Sequence, residues 1–200
     1  MFFDNHAACW DEMSRCDRSR LGTIVAALDL FPGARVLDVG CGTGAFTAFL
    51  LEEPVQPLDI VCADFSEKML DMARIKLAGR EGVSFCCVDV TSDPIPGRVF
   101  DRIICYSCFP HLKDKSAALS NFRANLADGG LLVIAHSDGY QKINDFHSRC
   151  KGPVCHDTLP DPALMRKMLE QSGYTDIVIS DEPDIYIVKA NKRTSASGAG

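Results

Sequence analysis

Val36-Leu37-Asp38-Val39-Gly40-Cys41-Gly42-Thr43-Gly44 runs from aliphatic strand formers, interrupted by one aspartate, into a Gly-x-Gly-x-Gly turn. Ala45-Phe46-Thr47-Ala48-Phe49-Leu50-Leu51 then reads as the first turns of a helix. A short apolar strand feeding a glycine-rich bend and a helix start is the nucleotide-binding corner of an open α/β sheet. Glycines there allow backbone angles that a Cβ forbids and let main-chain N–H groups come close to a ligand. Gly40-x-Gly42-x-x-Ala45 also satisfies the relaxed dinucleotide fingerprint, so the spacing alone admits a dehydrogenase. Asp38 separates the two readings. A carboxylate two residues before the first glycine repels a pyrophosphate and welcomes a cationic amine.

Leu58-Asp59-Ile60-Val61-Cys62-Ala63-Asp64 reads as the second strand, ending in an acid about 20 residues past the glycine turn, where a ribose-binding carboxylate belongs. One ionised carboxylate can accept from both ribose hydroxyls at once. Ser66 is placed to cap the following helix, with Met69, Met72 and Ala73 as its inward stripe. Val83-Ser84-Phe85-Cys86-Cys87-Val88-Asp89-Val90 is the third strand and ends in a third acid. Acids closing three successive strands form a constellation more specific than any one of them.

With these motifs the chain resembles the class I S-adenosylmethionine-dependent methyltransferases, strongly over about residues 34–136. The resemblance implies a Rossmann-like, doubly wound seven-stranded sheet, mostly parallel with one antiparallel C-terminal strand. It implies S-adenosylmethionine as cofactor: Asp38 at its amino end, Gly40, Cys41, Gly42 and Gly44 at the close backbone approach, and Asp64 on the ribose. Met69 would pack on the adenine, Asp89 and Val90 would meet its edge, and Phe65 and Cys105 would complete the cofactor contacts. Read without the family, Met69 is also a plain core residue and Asp89 a turn former before Thr91-Ser92-Asp93-Pro94.

Phe100 to Phe109 reads as the fourth strand and its exit, followed by an amphipathic helix through Ala117, Leu119, Phe122 and Leu126. Asp128-Gly129-Gly130 reads as a helix stop and Leu131–His136 as the fifth strand. In this fold the ligand crevice lies beyond the carboxyl ends of the strands, which puts Tyr106, His111 and His136 on the correct side. With His147 they are the candidate catalytic residues. Histidine, with a pKa near 6.5, is a fit base where the acceptor must lose a proton. Family members that methylate amide or nucleobase nitrogens carry an Asn/Asp-Pro-Pro-Tyr/Phe motif at this strand end; Cys105-Tyr106-Ser107-Cys108 departs from it. A small-molecule methyl acceptor is therefore expected.

Two hundred residues, 46% of them hydrophobic, suit one globular domain with a single core, which the resemblance makes a methyltransferase domain over residues 1–193. Residues 1–31 are expected to form an N-terminal helical cap, with Trp10, Met13, Leu21, Ile24, Val25 and Leu28 as its apolar positions. Residues 137–160 are read as an irregular, lid-like insertion, and 194–200 as a disordered tail. Asp161–Gly173 reads as a helix with Leu164, Met168 and Leu169 inward, before a terminal antiparallel strand pair. A net charge of −6 without any Lys/Arg run argues against nucleic acid, and no apolar run approaches the length of a membrane span. Ten cysteines, several in predicted core strands (Cys62, Cys86, Cys87, Cys105), suit a reduced, cytoplasmic monomer or homodimer.

Three further readings stand beside the main one. His147-x-x-Cys150-x-x-x-x-Cys155-His156 has ligand types suited to tetrahedral zinc, but the spacing is irregular and no metal is expected. Cys41, Cys105, Cys108, Cys150 and Cys155 invite comparison with arsenite methyltransferases of this superfamily, without forming a defined trio. A cofactor-binding sensor or partner subunit without turnover would carry the same motifs.

Overall fold

Strand β1 (Arg35–Val39) lies between β2 (Asp59–Asp64) and β4 (Phe100–Tyr106), parallel to both, with Asp38 opposite Cys62 on one side and Ile104 on the other. The full sheet runs β3-β2-β1-β4-β5-β7-β6, adding β3 (Val83–Cys87), β5 (Leu126–His136), β6 (Tyr174–Glu182) and β7 (Ile185–Lys192). Strand β7 pairs antiparallel with both β5 and β6, and is the one strand that opposes the rest. The computed structural model describes residues 2–13 (without the side chains of Glu12 and Met13), 17–56, 58–95, 99–150 and 152–194. Among these residues no helix is long and apolar enough to cross a membrane.

The central strands are covered on both faces, which is why they read as unbroken apolar runs. Successive residues feed opposite cores. Leu37, Ile103, Leu132 and Ile134 join one cluster, while Val36, Ile60, Ile104 and Val133 join the other. Strand β3 is an edge, paired only with β2, so Cys86 is only partly covered and Cys87 is exposed. Their placement in the core is corrected; Cys62 and Cys105 are buried as expected.

The amino-terminal stretch is a chain of short helices rather than one long one: α1 (Phe2–His6), a 3-10 turn (Ala7–Cys9), α2 (Trp10–Met13) and α3 (Arg18–Ala27). Asp17 caps α3 by accepting from the Ser19 N–H. Helix α4 (Ala45–Leu50) follows the glycine turn, and α5 (Glu67–Lys76) starts at Ser66, whose hydroxyl accepts from Met69 N at 3.2 Å. Such a cap contributes about 1 kcal/mol. Helix α6 (Lys115–Asn125) ends three residues before the expected stop. Leu126 turns extended and pairs with Phe100, and a register shift in β4–β5 pairing lets Asp128-Gly129-Gly130 lie within β5.

The stretch expected to be irregular contains α7 (Tyr140–Arg149), with Ile143 and His147 turned inward. Helix α8 (Pro162–Gln171) is capped by Asp161 and buries Met165 and Leu169, whereas Leu164 is 47% exposed. The expected inward position at Leu164 is taken by Met165, one residue on, on the face of α8 that packs against β6. Residues 195–200, most of the expected tail, lie outside the described residues.

Candidate functional site

The chain leaves β1 toward β2 on one side and returns through β4 on the other, so a crevice opens where the strand order reverses. A cavity of about 700 Å³ occupies this place. Asp38, Gly40, Cys41, Gly42, Asp64, Phe65, Met69 and Asp89 form its expected cofactor wall, and Tyr106 and His111 stand on the β4 side. Gly44, Val90, Cys105, His136 and His147 do not line it.

Asp38 is buried, and its Oδ2 accepts from Thr47 Oγ1 at 2.6 Å. Burial pushes its carboxyl up to about 7 against that hydrogen bond, and the nearby charge of Asp64 adds to the rise. Asp64 is also raised by burial, although main-chain N–H groups of Ser66, Gly42 and Phe65 oppose the shift. Its Oδ2 accepts from Gly42 N and its Oδ1 from Ser66 N, both at 2.9 Å. These bonds fix the carboxylate and tie the glycine turn to the start of α5. Both acids are buried at the cavity wall, where a positive charge placed beside either would favour its ionised form.

Asp89 sits two residues past β3 and serves its own turn, with Oδ1 accepting from Thr91 N at 3.0 Å and Thr91 Oγ1 at 2.7 Å. It does so while lining the cavity. Val90 is buried, and its carbonyl accepts from Asn121 Nδ2. Gly40 and Gly44 have φ of +64° and +76° and serve packing as well as approach. A Cβ on Gly40 would lie 2.1 Å from Cys108 Sγ, and one on Gly44 would meet Leu77 Cδ1 at 2.9 Å. Gly44 thus lets the start of α4 sit against α5, out of the cavity.

On the β4 side, the Tyr106 ring stacks on Phe46, centroids 4.9 Å apart, and its hydroxyl is 2.5 Å from Ser137 Oγ. His111 Nδ1 lies 2.6 Å from Asp157 Oδ2. That bond places a proton on Nδ1 and leaves Nε2 as the basic nitrogen. The His147 ring packs 5.1 Å from His111, and His136 lies within electrostatic range of both. Burial, then the two neighbouring imidazoles, pushes His136 down to about 3, so it is neutral at physiological pH. Burial lowers His147 in the same direction. Among the described residues no three His, Cys, Asp or Glu groups are arranged to hold a metal ion. His147 faces His111, Cys150 and Cys155 are half-buried, and His156 is exposed.

Several residues of the cavity went unread in the sequence. Phe3 packs edge-on against Trp10, Phe65 and His111. Asp4 Oδ1 accepts from Ser66 Oγ at 2.5 Å. Asp11 accepts from Thr43 Oγ1 at 2.5 Å and pairs with Lys76 Nζ at 2.6 Å. The amino-terminal helices therefore hold the cavity rim at both the glycine turn and the start of α5. The signal available for them was Phe2-Phe3 in a short polar segment, which has no reason to be aromatic unless it packs on something.

A crevice at the strand-order reversal, walled by strand-end acids and a glycine turn, defines an α/β protein for an adenosine-bearing cofactor. Residues 37–132 match the model of a family described as a methyltransferase domain. The chain is 31% identical over 169 residues to a phosphoethanolamine N-methyltransferase of Triticum aestivum, covering 82% of this chain and 32% of that protein. It is 35% identical over 125 residues to a ubiquinone/menaquinone biosynthesis C-methyltransferase of Vibrio vulnificus, covering 58% and 48%. Its fold matches Haemonchus contortus phosphoethanolamine N-methyltransferase 2, solved with S-adenosyl-L-methionine, at a TM-score of 0.71 and 16% identity, over 88% of this chain and 53% of that one. The chain spans about a third of the length of the plant relatives it matches. Residues 37–132 thus carry a methyltransferase domain, and the fold of the chain is that of a solved S-adenosyl-L-methionine-bound methyltransferase.

Proposed function

We propose that this chain moves the methyl group of S-adenosylmethionine to a small-molecule acceptor by in-line displacement. The observation that carries the reading is one cavity with Asp38 and Asp64 on one wall and His111, bonded to Asp157, on the other. Asp38 would receive the amino end of the donor, Asp64 the ribose, and Asp89 with Met69 and Phe65 the adenine. The sulfonium supplies its own activation, so the protein has to align donor and acceptor and exclude water. His111 Nε2 is the base for an acceptor that must lose a proton, and Asp157 steadies the imidazolium that results. Tyr106, held by Phe46 and Ser137, orients the acceptor.

Residues 1–31 act as a cap and 137–160 as a lid within one methyltransferase domain spanning 1–193. The net charge of −6 favours a small acceptor over nucleic acid, and the burial of Cys41, Cys62 and Cys105 as small apolar core residues suits a cytoplasmic monomer or homodimer. The test is calorimetric titration with S-adenosylhomocysteine and with NAD. Micromolar binding of the first without the second is expected, and the reverse would assign a dehydrogenase. His111→Gln should cut turnover by roughly 10²- to 10⁴-fold while leaving S-adenosylhomocysteine affinity within about twofold.

A further inference from the structure

Thr47 is fully buried on α4 and does not line the cavity, yet its hydroxyl reaches a residue that does. It donates to Asp38 Oδ2 at 2.6 Å and lies 3.2 Å from Cys62 Sγ. A hydroxyl carries one proton. With that proton committed to the Asp38 carboxylate, the Cys62 thiol is the donor to the Thr47 oxygen. Cys62 is the residue opposite Asp38 in the β1–β2 pairing, so thiol, hydroxyl and carboxylate meet between two strands and a helix. Among the described residues no other group bonds the Asp38 carboxylate, which leaves Oδ1 to the cavity. We infer that Thr47, oriented by Cys62, is a positioning residue for the methyl donor: it holds the Asp38 carboxylate by one oxygen so that the other receives the donor's amine. The inference rests on the cofactor reading and adds to it a residue that the cofactor itself does not touch.

The surroundings leave this task to Thr47. The titratable groups facing Asp38 are Asp64 from the end of β2, Cys62 within β2, Cys41 from the glycine turn and Cys105 from β4. None of the four is a cation. Burial pushes the Asp38 carboxyl up, the charge of Asp64 adds to the rise, and the Thr47 hydrogen bond opposes both. A donor to the charged form of a carboxyl favours that form, and removing it favours the neutral acid, which has no charge to offer an ammonium. Valine at residue 47 keeps the β-branched shape and lacks only the hydroxyl, so it isolates the bond from the packing.

The experiment is isothermal titration of the full chain with S-adenosylhomocysteine at pH 6, 7, 8 and 9. Wild type, Thr47→Val, Thr47→Ser, Asp38→Asn and the double variant Thr47→Val/Asp38→Asn are compared. A tenfold gain in the proton affinity of Asp38 makes Thr47→Val bind about tenfold more weakly than wild type at pH 6 and less than about twofold more weakly at pH 9. Thr47→Ser keeps the hydroxyl and should stay within about threefold of wild type at every pH. In the Asp38→Asn background Thr47→Val should cost less than about twofold, because the carboxylate it serves is gone. Cys62→Ala keeps the claim testable if Thr47→Val does not fold: it removes a weak donor and should lose about two- to threefold at pH 6 and nothing at pH 9. A loss equal at all four pH values, or equal with and without the Asp38 carboxylate, would make Thr47 a packing residue and overturn the inference. Unchanged binding by Thr47→Val would overturn it too. A wild-type chain that binds no S-adenosylhomocysteine at any pH would instead remove the cofactor reading on which it rests.

Discussion

Raising the pH from 6 to 8 should tighten S-adenosylhomocysteine binding about tenfold, through Asp38 alone. In the empty cavity burial holds this carboxyl near 7, so at pH 6 about nine molecules in ten carry a neutral Asp38. A ligand ammonium placed beside it favours the charged form and returns the pKa toward the ordinary carboxylate range. Binding must then expel a proton at pH 6, at a cost of about 1.4 kcal/mol relative to pH 8, where Asp38 is already ionised. The pH dependence of folding has the opposite sign. The folded-state pKa lies above the unfolded value, so the contribution of this group to stability is full below about pH 4 and is lost as pH rises through 7. The empty protein should therefore be about 1.4 kcal/mol more stable at pH 6 than at pH 8 from this residue, while its ligand binds more weakly. Isothermal titration at pH 6, 7 and 8 in buffers of different ionisation enthalpy gives both the affinity and the protons released. Asp38→Asn should flatten both profiles. A wild-type affinity that is the same at pH 6 and pH 8, with no proton released at pH 6, would refute the placement of the ligand amine at Asp38.

Asp64→Ala should weaken S-adenosylhomocysteine by roughly 10- to 100-fold, the loss of one or two charge-assisted hydrogen bonds, as read by calorimetry. It also strands the Gly42 and Ser66 N–H groups, so a modest fall in melting temperature should accompany it. Gly40→Ala places a Cβ 2.1 Å from Cys108 Sγ at a φ of +64°, and should cost about 2–4 kcal/mol of stability in denaturant titration. Asp11→Asn loosens the hold of the amino-terminal helices on Thr43 and Lys76, and should raise the dissociation constant for S-adenosylhomocysteine by about 3- to 10-fold, because the rim is less organised.

The glycine turn, the two central acids and the central strands were legible because each rests on local chemistry: positive φ, a strand end, an apolar run between helices. Helix α7 was not. Its inward positions are Ile143 and His147, four apart, and a histidine in the apolar stripe hides the helical period behind a polar residue. The one-residue shift in α8 was available in principle, since Met165 and Leu169 are also four apart, but Leu164 offers an equally apolar neighbour and only packing against β6 decides between them. The Asp4–Ser66 and Asp11–Lys76 contacts join residues more than sixty positions apart. Pairings of that separation leave no periodic trace. The His111–Asp157 bond went unread for the same reason: its carboxylate comes from a stretch that, taken alone, reads as loop.

The sulfur of Cys108 fills the space that a side chain at residue 40 would take. The two lips of the crevice, one after β1 and one after β4, therefore meet through the Cys108 side chain. A bulky adduct on this one thiol would press on both.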